Sequence, residues 1–290
     1  HYLRQTGITF SPVYMAQAAA ANPHIAATLV QLFELRFDPQ QRKRAARETS
    51  RLTARLQEAL DAVASLDEDR ILFAFHEVIG ATLRTNYYQP DLDGKPKHYI
   101  SFKLDSQALP DLPLPRPFRE IWVYSPRFEG IHLRGGMIAR GGLRWSDRRE
   151  DFRTEVLGLM KAQNVKNTMI VPVGAKGGFV LKRPPAEGGR DALHAEGVAC
   201  YSSFINGLLD ITDNLDKNDV LPPDRVVRQD GDDPYLVVAA DKGTATFSDT
   251  ANAIAEEHGF WLGRNGRTAV EQAFSWDTIA EHTEQVYCSI

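Results

Sequence analysis

The stretch Asn86–Asp91, NYYQPD, separates two parts of the chain whose apolar residues follow different periods. Upstream, apolar residues recur at helical spacing, and the runs lie at 15–35, 52–66 and 71–83. We find no residues typical of catalysis there, and amphipathic helices mostly bury their apolar face against a neighbour. We therefore predict a helical segment over 1–92, followed by a different domain over 93–263.

The second part alternates extended stretches with helical ones. The predicted strands lie at 99–104, 121–124 and 130–133, with a proline-rich connector at 109–115 that is incompatible with helix or central strand. Two helix-then-strand units follow, 151–166 with 168–173 and 193–215 with 234–240. This order predicts an α/β fold with a mostly parallel sheet flanked by helices. Ligands gather at the carboxyl ends of such strands, and Lys176 and Asp241 are predicted to lie just past two of them.

Composition excludes several classes of function. The net charge is −4, with 34 basic and 38 acidic residues, so neither nucleic acid nor an acidic membrane surface is an expected partner. Polar residues interrupt the most apolar N-terminal window, Val13–Leu35, which excludes a membrane span there. The cysteines, Cys200 and Cys288, are far apart, which favours a reducing, cytoplasmic location. Because the chain begins with His1, we expect it to be part of a longer protein.

The glycine-rich stretch around Lys176, VPVGAKGGF, does not match the known phosphate-binding turns. A P-loop needs glycine before the lysine and serine or threonine after it, but Ala175 and Gly177 occupy these positions, and a GxGxxG fingerprint is missing from the sequence. The surrounding sequence is instead rich in cations: Arg140, Arg144, Lys161, Lys166 and Lys176. Gathered in a cleft, such cations would bind a carboxylate substrate. Clustering and burial would also make a lysine a base near neutral pH, although a solvated surface charge is the alternative for any one of them.

Asp241 follows the apolar run at 235–240 and precedes a Lys-Gly-Thr turn. An acid in this position can relay protons or hold a lysine in place, and the alternative is an ordinary turn or helix-capping aspartate. The histidines and cysteines lack metal-ligand spacing, so we predict no metal site. A serine nucleophile elbow is also missing.

Two long strings carry a family resemblance. The sequences GGLRWSDRREDFRTEVLGLMKAQNVKNTMIVPVGAKGGF and VVAADKGTATFSDTAN resemble the glutamate dehydrogenase family, and more narrowly the large NAD-dependent enzymes of bacteria. The resemblance is strongest between Ile121 and Gly263. It implies oxidation of L-glutamate to 2-oxoglutarate and ammonia, with NAD as cofactor and a homo-oligomer as the full-length protein.

The resemblance also implies roles for individual residues. Lys176 matches the catalytic lysine that activates the attacking water, and Asp241 matches the aspartate that transfers protons to and from ammonia. Lys166 matches the lysine that holds the α-carboxylate, with Gln163 as its companion. The substrate-binding residues are then Arg140, Gly142, Gln163 and Lys166. Arg140 stands where smaller members have a lysine for the side-chain carboxylate, and its planar guanidinium has a different reach.

After Gly263 the resemblance stops, and Arg264–Ile290 does not resemble the continuation expected in the family. We predict an atypical tail over 264–290, from a truncation or frameshift, with no nucleotide-binding domain and therefore no activity of this chain alone. Two alternatives stay open: a dehydrogenase of another amino acid, or a fragment that binds carboxylates without catalysis.

Overall fold

The computed structural model describes residues 1–139, 141–166, 173–217, 219–237, 239–241 and 245–263, with the backbone only at residues 45, 46, 164–166 and 245. Four helices come first, α1 Pro12–Ala21, α2 Pro23–Phe37, α3 Arg42–Asp61 and α4 Leu66–Ala81. The first two replace the single run at 15–35, because Pro23 has no N–H to continue α1 and instead starts α2. The helical N-terminal segment is otherwise confirmed as far as Ala81, where α4 ends.

The helices pack around two apolar clusters. Ile25, Leu56 and Leu72 bring α2, α3 and α4 together, whereas Met15 and Ile71 join α1 to α4. Ser65 caps α4 by accepting a hydrogen bond from the Glu68 N–H. The segment therefore folds as its apolar period predicts.

A six-stranded sheet follows, in the order β1-β2-β3-β4-β6-β5. Its strands are β1 Thr82–Thr85, β2 Ile100–Leu104, β3 Arg119–Tyr124, β4 Phe128–Arg134, β5 Leu143–Trp145 and β6 Ala175–Leu181. Helix α5, Phe152–Lys166, joins β5 to β6, and α6, Gly189–Leu209, follows β6. A separate hairpin, β7 Asn214–Asp216 and β8 Asp219–Leu221, precedes the last described helix, α7 Ser248–Glu257. The first strand thus lies before residue 93, and the domain boundaries stay predictions.

The α/β class with helices against the sheet is confirmed, but the prediction of a mostly parallel sheet is wrong. Among the described strands of this sheet, β5 and β6 are the only pair in parallel, whereas β1–β2, β2–β3, β3–β4 and β4–β6 are antiparallel. The β5–α5–β6 unit has the crossover helix that a parallel pair needs. By contrast, β3 and β4 are joined by residues 125–127 alone, a connection too short for any arrangement but antiparallel.

Helices cover both faces of the sheet. On one face Phe179 of β6 packs with Tyr201 and Phe204 of α6. On the other face Val180 packs with residues of α5 that include Val156. Because successive strand residues point to opposite faces, Lys176 points to the α5 face, together with Gly178 and Val180.

Two predicted strands differ from the structure. Of the strand at 168–173, residues 168–172 lie outside the described residues, and the strand observed is β6, which contains Lys176 as its second residue. The prediction that Lys176 lies past a strand end is therefore wrong. In the described part of 234–240 the chain is not a strand, and a single bridge joins Ala240 to Leu143. Pro234 cannot donate to a ladder, and the carbonyl of Tyr235 accepts from a side chain instead.

Candidate active site

Lys176 lies on a strand that has a neighbour on each side. On β6 it lies opposite Leu133 of β4, and the next residue, Gly177, lies opposite Leu143 of β5. Only 2% of Lys176 is exposed, and a buried lysine is rare unless a carboxylate pairs with it.

That carboxylate is Asp241, which accepts a hydrogen bond from Lys176 Nζ in a close ion pair. Leu143 fixes both partners, because its neighbour across the sheet is Gly177 and its N–H donates to the Ala239 carbonyl at 3.0 Å. The Asp241 side chain is 30% exposed and the Lys176 side chain 3%. The pair therefore opens to solvent at its carboxylate end, which is where a substrate would arrive.

Glycines make room beside this pair. A Cβ on Gly141 would stand 1.6 Å from the Ala175 carbonyl oxygen, so no larger residue fits there. A Cβ on Gly142 would stand 3.1 Å from the Cβ of Asp241. The Gly142 carbonyl also accepts from the Gly177 N–H at 3.1 Å. The predicted substrate-binding Gly142 thus lies against both Asp241 and the strand that carries Lys176.

The other predicted binding residues are only partly described. Gln163 is half-buried on α5, and Lys166 is the last residue of that helix. The Lys166 side chain and the whole of Arg140 lie outside the described residues.

The described cations of the predicted cluster do not share a partner. Lys161 is exposed and donates to the Leu114 carbonyl at 2.9 Å. Arg144 pairs with Glu155 at 3.2 Å, and Lys176 pairs with Asp241. Each of these three therefore has a separate partner.

Sequence reasoning missed a buried charge network that runs from β1 to the end of β4, where Arg134 lies opposite Ala175, the neighbour of Lys176. It contains three cations and three carboxylates, namely Arg84, Lys103, Arg134, Asp213, Asp230 and Asp233. Arg84 binds Asp213 through two nitrogens, at 2.8 and 3.0 Å, and Asp230 at 2.6 Å. Lys103 bridges Asp230 at 2.6 Å and Asp233 at 2.7 Å. The charges of these six cancel, as a buried set of ions requires. The partly exposed Arg228 also contacts Asp213, at 3.2 Å, and is balanced by Asp232 at 2.6 Å. A charged residue among the apolar residues of a predicted strand, such as Lys103 in ISFKL, is the signal from which a buried ion pair could have been predicted.

Arg134 forms the end of the network nearest the site. Burial alone would raise the pKa of Asp233, but hydrogen bonds from Arg134 and the charge of Lys103 outweigh it and lower the pKa to about 2. Asp233 therefore stays ionised through the neutral range.

His132 lies beside Gly177 on the other face of the sheet. Burial and the charge of Arg134 lower its pKa to about 3, against the opposing effect of a hydrogen bond with the Val237 backbone. This imidazole is therefore neutral at pH 7.

The described residues also bear on metal binding and on membrane insertion. They contain no cluster of three or more histidine, cysteine, aspartate or glutamate side chains arranged to hold a metal ion. None of the helices in this part of the chain has the length and apolar character needed to cross a membrane.

Comparison with known proteins gives consistent matches. The family described as Bacterial NAD-glutamate dehydrogenase, catalytic domain, matches residues 55–274, which extends past Gly263 into the predicted atypical tail. The family described as Glutamate dehydrogenase, helical motif 3, matches residues 1–39.

Three curated relatives carry the name NAD-specific glutamate dehydrogenase. The protein from Pseudomonas aeruginosa is 60% identical over 90% of this chain, that from Mycobacterium tuberculosis 56% over 90%, and that from Halomonas elongata 52% over 97%. The chain spans 16%, 17% and 18% of the length of these relatives, respectively.

Proposed function

Because this chain belongs to the bacterial NAD-glutamate dehydrogenase catalytic domain family, we propose that it supplies the reacting side chains of an enzyme that oxidises L-glutamate. The products are 2-oxoglutarate and ammonia, and Lys176 and Asp241 are the catalytic residues. The observation that carries the proposal is the ion pair between the buried Lys176 ammonium and the partly exposed Asp241 carboxylate.

The chemistry of this pair fits the hydrolysis of the imino acid that forms when glutamate is oxidised. When the proton of the pair moves from Lys176 Nζ to Asp241, the neutral amine can take a proton from the water that attacks C2, where the new C–O bond forms. Asp241 gives a proton to the amino group as the C2–N bond breaks, so that ammonia leaves and the ketone remains. General acid–base catalysis of this kind contributes about 10²–10⁴-fold to a rate. The exposed end of Asp241 provides access for the substrate nitrogen.

Substrate binding belongs to the residues around the pair. We assign the α-carboxylate to Lys166 with Gln163, and the side-chain carboxylate to Arg140, with Gly142 leaving room for the substrate. The position of Gly142 beside Asp241 supports this assignment.

NAD would supply the hydride acceptor when bound, but no residue of this chain is assigned to hold it. The sequence lacks a GxGxxG turn, which is the usual dinucleotide cradle, and the described glycines near Lys176 lie against backbone and side chains of the sheet. We therefore expect this chain alone to be inactive. A cytoplasmic homo-oligomer is part of the same proposal.

A chimera tests the assignment. The chain replaces the matched region of the P. aeruginosa relative, and NAD-linked glutamate oxidation is measured with and without Lys176→Ala. We expect kcat to fall by about 10²–10⁴-fold. Lys97→Ala is the matched control, because Lys97 also pairs with an aspartate, Asp210, at 2.7 Å and lies outside the site. We expect its kcat to stay within about twofold, since it touches none of the reacting groups.

Activity that survives Lys176→Ala would refute the catalytic role. An unmodified chimera that binds 2-oxoglutarate without oxidising glutamate would favour the non-catalytic alternative. Faster turnover of another amino acid would reassign the substrate.

A further inference from the structure

The Lys176–Asp241 pair depends on two stretches of chain that are not regular structure. One is the loop 135–139 that leads from β4 toward Gly141 and Gly142, and the other is the described part of 233–241 that leads to Asp241. Irregular segments have fewer backbone hydrogen bonds to fix them than strands do. Another group must therefore hold them if Asp241 is to meet Lys176 in one geometry.

Arg134 contacts both stretches. It is the last residue of β4, lies opposite Ala175 in the sheet, and is 4% exposed. Its Nη1 donates to the Met137 carbonyl at 3.0 Å in the first stretch and to the Tyr235 carbonyl at 2.7 Å in the second. The same guanidinium binds both oxygens of Asp233, with Nη1–Oδ1 at 2.9 Å.

A second contact joins the same two stretches. The Tyr235 hydroxyl donates to the Ala139 carbonyl at 3.0 Å. From Tyr235 the chain continues to Ala239, whose carbonyl accepts from the Leu143 N–H at 3.0 Å, and then to Asp241. Arg134 thus fixes Tyr235, at the start of the chain segment that ends at Asp241, the proposed catalytic carboxylate.

Other members of the charge network hold Asp233 in place. Lys103 Nζ donates to Asp233 at 2.7 Å, and the Asp233 N–H donates to Asp213 at 2.7 Å. Asp213 in turn binds Arg84, and both of these side chains are fully buried. Buried ion pairs are seldom the most stabilising choice for a core, so their concentration beside one site indicates a geometric role.

From these contacts we propose that Arg134 is a positioning residue, which holds Asp241 against Lys176 by clamping the loop at Met137 and the segment at Tyr235. The inference rests on the proposed function for its effect on catalysis. Lysine cannot replace arginine here, because one ammonium lacks the planar fork that reaches Asp233 and two carbonyls together.

The test is a double-mutant cycle in the chimera with Arg134→Lys and Asp241→Asn. We expect Arg134→Lys to lower kcat by about 10–100-fold while KM for glutamate changes less than about threefold, since the binding residues remain. In the Asp241→Asn background the same change is expected to lower kcat by less than about twofold, because residues that act through one another are not additive. Equal losses in both backgrounds, or no loss in either, would overturn the proposal.

Arg127→Lys is the matched control. Arg127 precedes the other end of β4 and binds Glu196 through two nitrogens, at 2.8 and 2.5 Å. We expect its kcat to stay within about twofold of the unmodified chimera, because the pair is remote from the site.

Amide hydrogen exchange keeps the proposal testable if Asp241→Asn leaves too little activity to measure. The Leu143 N–H reports directly on the segment that carries Asp241. We expect it to exchange about tenfold or more faster in Arg134→Lys and at an unchanged rate in Arg127→Lys. Unchanged exchange in Arg134→Lys would refute the positioning role even if Lys176→Ala abolishes turnover. Faster exchange in a chimera whose activity survives Lys176→Ala would instead refute the proposed function alone.

Discussion

The helical segment and the sheet region bury different kinds of side chain. Between residues 12 and 81, the buried side chains that the structure describes are apolar, as Ile25 and Leu72 are. The sheet region also buries Arg84, Lys103 and Arg134, each paired with carboxylates. Apolar packing tolerates many sequences of the right volume, whereas a buried ion requires its partner in place. The comparison indicates that the helices provide stability and the buried charges provide geometry.

The largest effect on stability is expected where a buried ion loses its partner. Asp213→Ala removes one of the two carboxylates of Arg84, with both side chains fully buried in the native protein. The remaining one, Asp230, is shared with Lys103, so the buried network is left with one uncompensated positive charge. We expect the free energy of unfolding to fall by about 3–5 kcal/mol, as measured by urea denaturation. A loss below about 1 kcal/mol would show that Arg84 does not need this carboxylate. It would contradict the difference that we draw between the sheet region and the helical segment.

A smaller effect, specific to the sheet, is expected from acid. The folded His132 takes up a proton only near pH 3, whereas its ordinary pKa is 6.5. Its contribution to stability is therefore complete above pH 6.5 and is lost as the pH falls from 6.5 toward 3. Between pH 6.5 and 4.5 the loss is about 2 kcal/mol.

His132→Gln removes this dependence. We expect its urea midpoint to fall less between pH 7 and 4.5 than that of the unmodified chain. Burial also lowers the pKa of His76 in the helical segment, and this contribution is the same in both proteins, so the difference isolates His132. Identical slopes would contradict the assigned pKa.

The smallest effect is expected on the surface of the helical segment. Arg44 and Glu48 form an exposed pair on α3, at 3.1 Å. We expect Arg44→Ala to change the free energy of unfolding by less than about 0.5 kcal/mol. Thermal unfolding at low and high salt measures this change. A loss above about 1 kcal/mol would show that an exposed ion pair stabilises the protein as much as we expect only of buried ones.

The sequence predicts the helical segment and the three central strands well, because their signals are local. Leu52, Leu56 and Leu60 lie on one face of α3 because they are spaced four residues apart, close to the helical period of 3.6 residues. The strand directions were predicted wrongly, since the helix between β5 and β6 marks a parallel pair but says nothing about β1 to β4.

The candidate site was predicted only in part. Lys176 and Asp241 were found from their motifs, and the structure pairs them across 65 residues of sequence. The network was missed because Arg134 and Asp233 are 99 residues apart, and Arg84 and Asp213 are 129 apart. No local pattern encodes such a pairing, whereas a charge within an apolar strand does indicate that some partner exists.

The most direct test compares the kcat of two chimera variants, each measured per mole of folded protein. Asp233→Asn weakens the hold of Arg134 in the sheet region, and Leu72→Ala removes a fully buried side chain from the helical segment. We expect Asp233→Asn to lower kcat about tenfold or more, a change of about 1.4 kcal/mol in the barrier. Leu72→Ala should keep kcat within about twofold, although it costs about 2–5 kcal/mol of stability. An unchanged kcat in Asp233→Asn, or an equal fall in both variants, would contradict the claim that the buried charges position the Lys176–Asp241 pair.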